Sequence, residues 1–466
     1  MFTQYFKHYL VFSLLTVCLF SCSEDQNLKS DPFVVAFKSL SKNLTDINEA
    51  TTIDLVYSEM ALENGMVNIQ IHSETAIYGQ DFVTIPEVVN DNISLPVVNG
   101  ALQNAIAFKK LNTTLDETTT IEFTIASIDY SHANIQGNSR FIINASPALG
   151  GSLTPEVGGP NQGNQVYVDL STQSTTLARR DSWDIGFYNG DSFRVTINGS
   201  LYMATKALNH TNIDLVTDTD VTNLKPQVAV GTFNPENAAY IDAPNGNILE
   251  TAIAEIAENA NENPVYLLNL GYEVGTATPP TGSVAIAGNH RGWKKIRILK
   301  HEDGYILQYA NLNDTTHQEI TISKNSDYNF THFSFNTNSL VNVEPKKEKW
   351  DISFTVFTNI LEGAGSYGFS DYVIHNRKAN TLAYQVNTAD FNYDDFSLTD
   401  IDDVNFSKNQ TTIGSHWRDV FNRTTFSDRF YIIKDPNGNI YKLKFLAMAN
   451  SSGERGHPEF EYKLLQ

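Results

Sequence analysis

Cysteine is almost missing from this sequence. Its 466 residues hold two, Cys18 and Cys22, both within the first 22 positions. That excludes a disulfide framework and a thiol nucleophile from the rest of the chain. Basic residues are also scarce, 32 Lys plus Arg against 53 Asp plus Glu, for a net charge of −21 with no Lys/Arg-rich run. Such a field repels a phosphate backbone, so nucleic acid is excluded as a partner. The sequence has neither a His-Glu-x-x-His nor a Gly-x-Ser-x-Gly motif. The glycine-rich stretch 363–368 lacks a lysine and follows no strand–helix unit, so it is no phosphate cradle. No spacing pairs two carboxylates for acid–base work. The expectation is a non-catalytic protein. What is present suffices for a packed core: 41% hydrophobic and 18% charged residues. At roughly 100–200 residues per domain, the length suits two to four domains.

The first 21 residues read as a secretory signal. Lys7 and His8 supply a positive start, and the apolar run 9–20 is too short to span a bilayer permanently. The run closes on Leu19-Phe20-Ser21-Cys22, which resembles a bacterial lipobox. Cleavage before Cys22 discards Cys18 and leaves one cysteine, Cys22, to receive lipid. Acyl chains contribute roughly 0.8 kcal/mol per buried CH₂, so several chains on one residue anchor firmly. Residues 22–31 form an acidic tether, and Glu24-Asp25 resembles the export signal of Bacteroidetes surface lipoproteins. The expected location is the outer membrane, at the cell surface.

Beyond the tether the fold class is mainly β. Short alternating runs at 52–57, 66–72, 93–98, 121–127 and 141–144, separated by turn residues, predict a β-sandwich over 32–146. A Gly/Pro-rich linker, 147–164, follows. The remainder is an internal repeat, with units at 165–330 and 331–466. Ser182-Trp183-Asp184-Ile185 recurs as Lys349-Trp350-Asp351-Ile352. Each unit carries a hairpin signal, Asp303-Gly304 or Asn437-Gly438. Leu249, Ala252, Ile253 and Ile256 predict one helical stretch over 249–258. The repeated Trp-Asp pair is expected to pack the core, the Asp holding a turn or a strand end.

Two family resemblances follow from particular residues. Tyr78-Gly79-Gln80-Asp81-Phe82, followed by Leu115-Asp116-Glu117 and Ile121-Glu122-Phe123, resembles a Calx-β domain over about 110 residues. The resemblance implies an Ig-like sandwich, some relatives of which bind Ca²⁺ with acids at one end. Ca²⁺ takes 6–8 oxygens, and Glu49, Asp81, Asp116 and Glu117 are the available carboxylates. They stand as calcium candidates or as holders of turns.

The second resemblance is to the HmuY family of haem-binding surface lipoproteins. Trp183-Asp184, Trp350-Asp351, Ser370-Asp371-Tyr372-Val373, Trp417 and 429–445 carry it, across two copies. It implies a tandem all-β module that captures haem or a haemoprotein and passes haem to a TonB-dependent outer-membrane receptor. The family pattern places one histidine ligand about five residues after the Trp and another before it on an inserted hairpin. Here Asn422 stands five after Trp417, and 387–415 contains no histidine. Haem iron takes His, Met, Cys or Tyr, so the substitute candidates are His416, His375, His290 and His210. The other reading is a protein- or glycan-binding lipoprotein that keeps the fold without haem.

Overall fold

The computed structural model describes residues 32–111, 115 and 118–465. The expected signal and tether, with Cys22, Asp116 and Glu117, lie outside these residues.

From 33 to 144 the strands are two-faced because apolar and polar residues alternate. In Gly65–His72, Val67, Ile69 and Ile71 are buried while Gln70 and His72 face solvent. Ten strands form two five-stranded sheets. One runs Phe82–Ile85, Gln103–Lys110, Ala50–Tyr57, Phe33–Phe37, Ala133–Ile135. The other runs Ser41–Asn43, Arg140–Asn144, Ile121–Asp129, Gly65–His72, Asn92–Val97. Val35, Leu55, Ile69, Ile106, Phe108 and Phe123 fill the space between them. This is the expected sandwich.

The repeat is folded less simply than its sequence suggests. Each copy opens with a hairpin, and each hairpin leaves its own copy. The first copy opens with the hairpin Asn164–Asp169/Ser174–Arg179, and its strand Asn164–Asp169 pairs with Ile352–Leu361 of the second, in register Val166↔Phe354 and Val168↔Ile352. The second copy opens with the hairpin Phe330–Ser334/Ser339–Val341, and its strand Phe330–Ser334 pairs with Ile185–Tyr188 of the first, in register Ile185↔Phe333 and Phe187↔Thr331. The result is two sandwiches with exchanged edges. In one, Ile185, Phe187, Phe333 and Phe335 pack on Leu268, Ile298, Tyr305 and Leu307 of a five-stranded sheet. In the other, Val166, Val168, Ile352 and Phe354 pack on Tyr431, Tyr441, Leu443 and Phe460. The units at 165–330 and 331–466 are therefore sequence repeats but not separable folds.

The expected linker is corrected too. Gly150–Leu153 is the edge strand of the last sheet, pairing with Arg455–Leu464 in register Gly150↔Lys463. Its glycines answer to close approach rather than to flexibility. A Cβ at Gly150 would meet the Tyr462 carbonyl, and one at Gly151 would meet the backbone of Lys38 and Ser39. This strand thus stands between the sandwich and the module, with Leu40 N–H donating to Gly150 C=O at 2.9 Å.

The helix expected at 249–258 does not form beyond a single turn, Ile248–Glu250. Its amides are taken by distant acceptors instead. Ala252 N–H donates to Asp242, Ala254 to the Tyr266 hydroxyl and Ala257 to Asn263 Oδ1. Ile253 and Ile256 are still buried, so the apolar spacing reported burial and not periodicity. Both predicted hairpins exist. The first turns on Glu302-Asp303, because His301 pairs with Gly304. The second turns across 435–439, where the Asp435 carboxylate accepts from Asn437 and Asn439.

Candidate functional site

The two Trp-Asp pairs sit where the exchanged hairpins meet their hosts, and they do the same job twice. Asp184 accepts from Phe335 N–H at 2.6 Å, and Asp351 accepts from Leu170 N–H at 2.8 Å. Each aspartate therefore caps the end of the hairpin strand donated by the other copy. Asn198 and Asn376 repeat the symmetry, donating to the Trp183 and Trp350 carbonyls at 2.8 and 3.0 Å. Arg291 lies 2.7 Å from Asp184 as its counter-ion. Asp351 has no such partner among the described residues, and burial beside Asp169 pushes its pKa well up. The expected strand-end role of the aspartates is what the geometry shows.

Between the pairs lies a deep cavity of about 150 Å³, lined by both copies. Trp183 stands edge-on to His332 at 4.7 Å, and Trp350 edge-on to Tyr167 at 5.0 Å. Among the ionisable groups on the walls are two acids and a lysine, Asp242, Glu344 and Lys378. Burial is the main cause of each shift, raising Asp242 to about 6 and Glu344 to about 7 while lowering Lys378 to about 8. Asp242 accepts from Ile197 N–H, and Glu344 from Phe330 N–H at 2.7 Å. Lys378 donates to Gln410 Oε1 at 3.2 Å.

The cost has a sign that can be measured. The raised pKa of Glu344 leaves stability intact below about 4.5, where both states are protonated, and removes it as pH rises to about 7. Glu344→Gln is therefore expected to raise the melting temperature at pH 8, through at most about 3 kcal/mol, and to do almost nothing at pH 4.5. Equal shifts at both pH values would show that Glu344 is not buried as a charge.

The four candidate histidines are not brought together. His375 is 1% exposed on the cavity wall. Burial, with Arg377 and Lys378 adding to it, pushes its pKa down to about 3. His290 is engaged on both nitrogens, Nε2 with Asn269 Oδ1 at 2.9 Å and Nδ1 with Gly292 N–H at 3.1 Å. His210 is exposed at the start of a loop. His416 is exposed at the base of the short hairpin Arg418–Asp419/Thr424–Thr425. Burial of its inner side, with Arg429 and Arg418 close, lowers its pKa. His332 was not among the candidates, yet it is buried on the cavity with its pKa pushed down to about 3 by burial. The repeat held the signal, since His332 occupies the position that Tyr167 fills in the other hairpin.

The position matching the family ligand, Asn422, sits at the hairpin tip with its amide on Asp419 at 2.7 Å. Beneath that hairpin, Ser370-Asp371-Tyr372-Val373 is a support. Asp371 takes Arg455 and Gln162 on its carboxylate, with Arg418 3.8 Å away, while Trp417 Nε1 donates to its carbonyl at 3.1 Å. Trp417 then stacks on Phe445 at 4.4 Å. A wider groove of about 590 Å³, lined in part by Ile241, Pro244, Asn359 and Ile360, offers no histidine, methionine or tyrosine to an iron.

Of the four calcium candidates, Glu49 and Asp81 are among the described residues. Glu49 and Asp81 lie at the same end of the sandwich, their carbonyls accepting from Lys110 and Leu111. Asp81, however, spends a carboxylate oxygen on its own turn, accepting from Ile77 N–H at 2.8 Å. No group of three or more His, Cys, Asp or Glu fit to hold a metal occurs among the described residues.

No curated protein matches the chain. Among solved structures, the apo CBD1 domain of Calx is 11% identical, covers 24% of this chain and 97% of its own, at a TM-score of 0.20. The CBD12 structure from CALX1.2 is 10% identical and covers 37% of this chain and 60% of its own, also at 0.20. The two sheets, rather than these likenesses, establish the sandwich. The family model described as HmuY protein matches twice, over 161–321 and 326–462, more than half of the sequence. On that match the chain belongs to the HmuY family.

Proposed function

We propose that this is a surface-held, non-catalytic binding protein whose cargo is haem, handed on to an outer-membrane receptor of the TonB-dependent kind. The family match over both copies is the observation that supports this reading. In it Cys22 carries the lipid, the sandwich is the stalk and the tandem module binds. His416 is the iron-ligand candidate of choice, exposed beside a hairpin whose tip presents Phe421, 92% exposed, for a macrocycle face. The 150 Å³ cavity is smaller than the about 300–1,000 Å³ of ordinary ligand pockets, so His375 and His332 do not serve a macrocycle there.

A Soret titration of the full chain tests the reading. Haem at micromolar concentration is expected to shift the band, and His416→Ala to move it or weaken binding about tenfold or more, some 1.4 kcal/mol. A flat titration sinks haem as cargo. The second reading, a protein- or glycan-binding module, is favoured by Asn422 at the ligand position. Saturable binding to a purified protein or glycan, with no haem spectrum, would select it.

A further inference from the structure

The end of the sandwich where the described chain begins is apolar, and nothing in the described residues covers it. Pro32–Val34 is strapped to Ser58, whose hydroxyl accepts from Val34 N–H at 2.9 Å while its N–H reaches the Val34 carbonyl at 3.0 Å. Two residues on, the loop 58–64 presents Met60 and Leu62, 51% and 75% exposed. The neighbouring loop 98–102 presents Val98 and Leu102, 54% and 55% exposed. The loops form one surface because they are tied together. Ala61 N–H donates to Ala101 C=O, Gly100 N–H to Ala61 C=O, and Asn99 Nδ2 to Leu62 C=O. Leu62 N–H is fixed by the Tyr130 hydroxyl at 2.7 Å. Four large apolar side chains are thus held outward on a rigid base, the pattern of an interaction face and not of scattered surface residues.

Position decides what covers it. Strand registers place 58–64, 98–102 and 130–132 at one end of the sandwich, and 73–81 and 91–92 at the other. The module leaves from that other end, through Asn144 and Gly150. Upstream of Pro32, residues 22–31 span at most about 35 Å even when fully extended. A lipid on Cys22 therefore attaches to the chain at this end, the end of the sandwich nearest the anchor. We infer that Met60, Leu62, Val98 and Leu102 seat in the lipid interface and stand the sandwich upright, with the module outward. The inference rests on the lipoprotein reading above. Apolar side chains at an interface lie at the boundary of headgroup and acyl chain, and the anchor removes most of the cost of bringing them there. Glu59 and Glu63 flank the apolar tips, which suits a zwitterionic surface better than an anionic one.

The test holds the anchor constant. The chain from residue 22, with Cys22→Ser and a histidine tag in place of lipid, is bound to phosphatidylcholine vesicles carrying nickel-chelating lipid. An environment-sensitive dye is attached at Leu62→Cys or, as comparator, at Val89→Cys, 66% exposed at the opposite end. The dye at 62 is expected to shift to the blue and to be quenched several-fold more by headgroup-proximal spin-labelled lipid than the dye at 89. Equal quenching at both, or none at 62, overturns the inference, and so does shielding of 62 by another protein without lipid quenching. Lipidation itself is read separately, by release of the Cys22→Ser protein from cell membranes, so the two can fail independently.

Discussion

A chain cut between the two copies, at 323–326, is expected to give two pieces that do not fold their modules alone and do so when mixed. The C-terminal piece lacks the strand Asn164–Asp169, and with it Val166, Val168 and Leu170, all wholly buried against its sheet. Burying such side chains is worth roughly 1.5–3 kcal/mol each, so their loss removes about 5–9 kcal/mol. That equals most of the roughly 5–15 kcal/mol that holds an ordinary domain together. It also loses Gly150–Leu153, exposing an edge of Arg455–Leu464. The N-terminal piece keeps its sandwich, which has a core of its own, but loses Phe333 and Phe335 from the first module. Urea titrations followed by near-ultraviolet circular dichroism would show one transition for the N-terminal piece, none for the C-terminal piece, and recovery on mixing. A C-terminal piece that unfolds cooperatively by itself would refute the exchange of hairpins.

Asp371→Ala is expected to cost the module about 3–5 kcal/mol, because it strands buried Arg455 and Arg418 without their carboxylate. Both arginine side chains are 8% exposed, and Asp371 is 2%. For a unit of this size that loss corresponds to a fall of about 6–20 °C in melting temperature. The loss should persist in high salt, since buried pairs are screened little. Asp371 also has a left-handed backbone, φ 49°. Asp371→Asn separates the contributions, for asparagine tolerates that conformation and keeps an acceptor for Gln162, whereas alanine adds backbone strain. The Asn variant should therefore fall between wild type and Ala. An Asn variant as stable as wild type would mean that charge contributes nothing at Asp371, and identical losses in the two variants would mean that charge carries the whole effect.

Much of this architecture could be read from residue order. Alternation located the strands, and the repeated Trp-Asp pairs marked two structurally equivalent places, down to the amide each aspartate caps. What escaped was partnership. A hairpin's own residues are the same whether it packs on its own copy or on the other, so the exchange of 164–179 with 330–341 left no local signature. The Gly150-Gly151 pair misled for a related reason: backbone crowding and chain flexibility both select glycine, and only the neighbours Tyr462 and Ser39 distinguish them. For the site, Asn422 announced in advance that the family ligand position was altered. The cavity's ionisable trio did not announce itself, because Asp242, Glu344 and Lys378 lie far apart in sequence and meet only through the fold.

The strand Gly150–Leu153 also sets a timetable. It leaves the synthesis machinery roughly 300 residues before the strand that receives it, Arg455–Leu464. The sandwich before it needs nothing from later residues and can close at once, whereas the hairpin Asn164–Asp169/Ser174–Arg179 waits for Ile352–Leu361 to pair with its open edge. Closing so long a loop adds little equilibrium cost, since the entropy grows only with the logarithm of length. It slows folding instead, and it leaves β edges open to wrong partners in the interval.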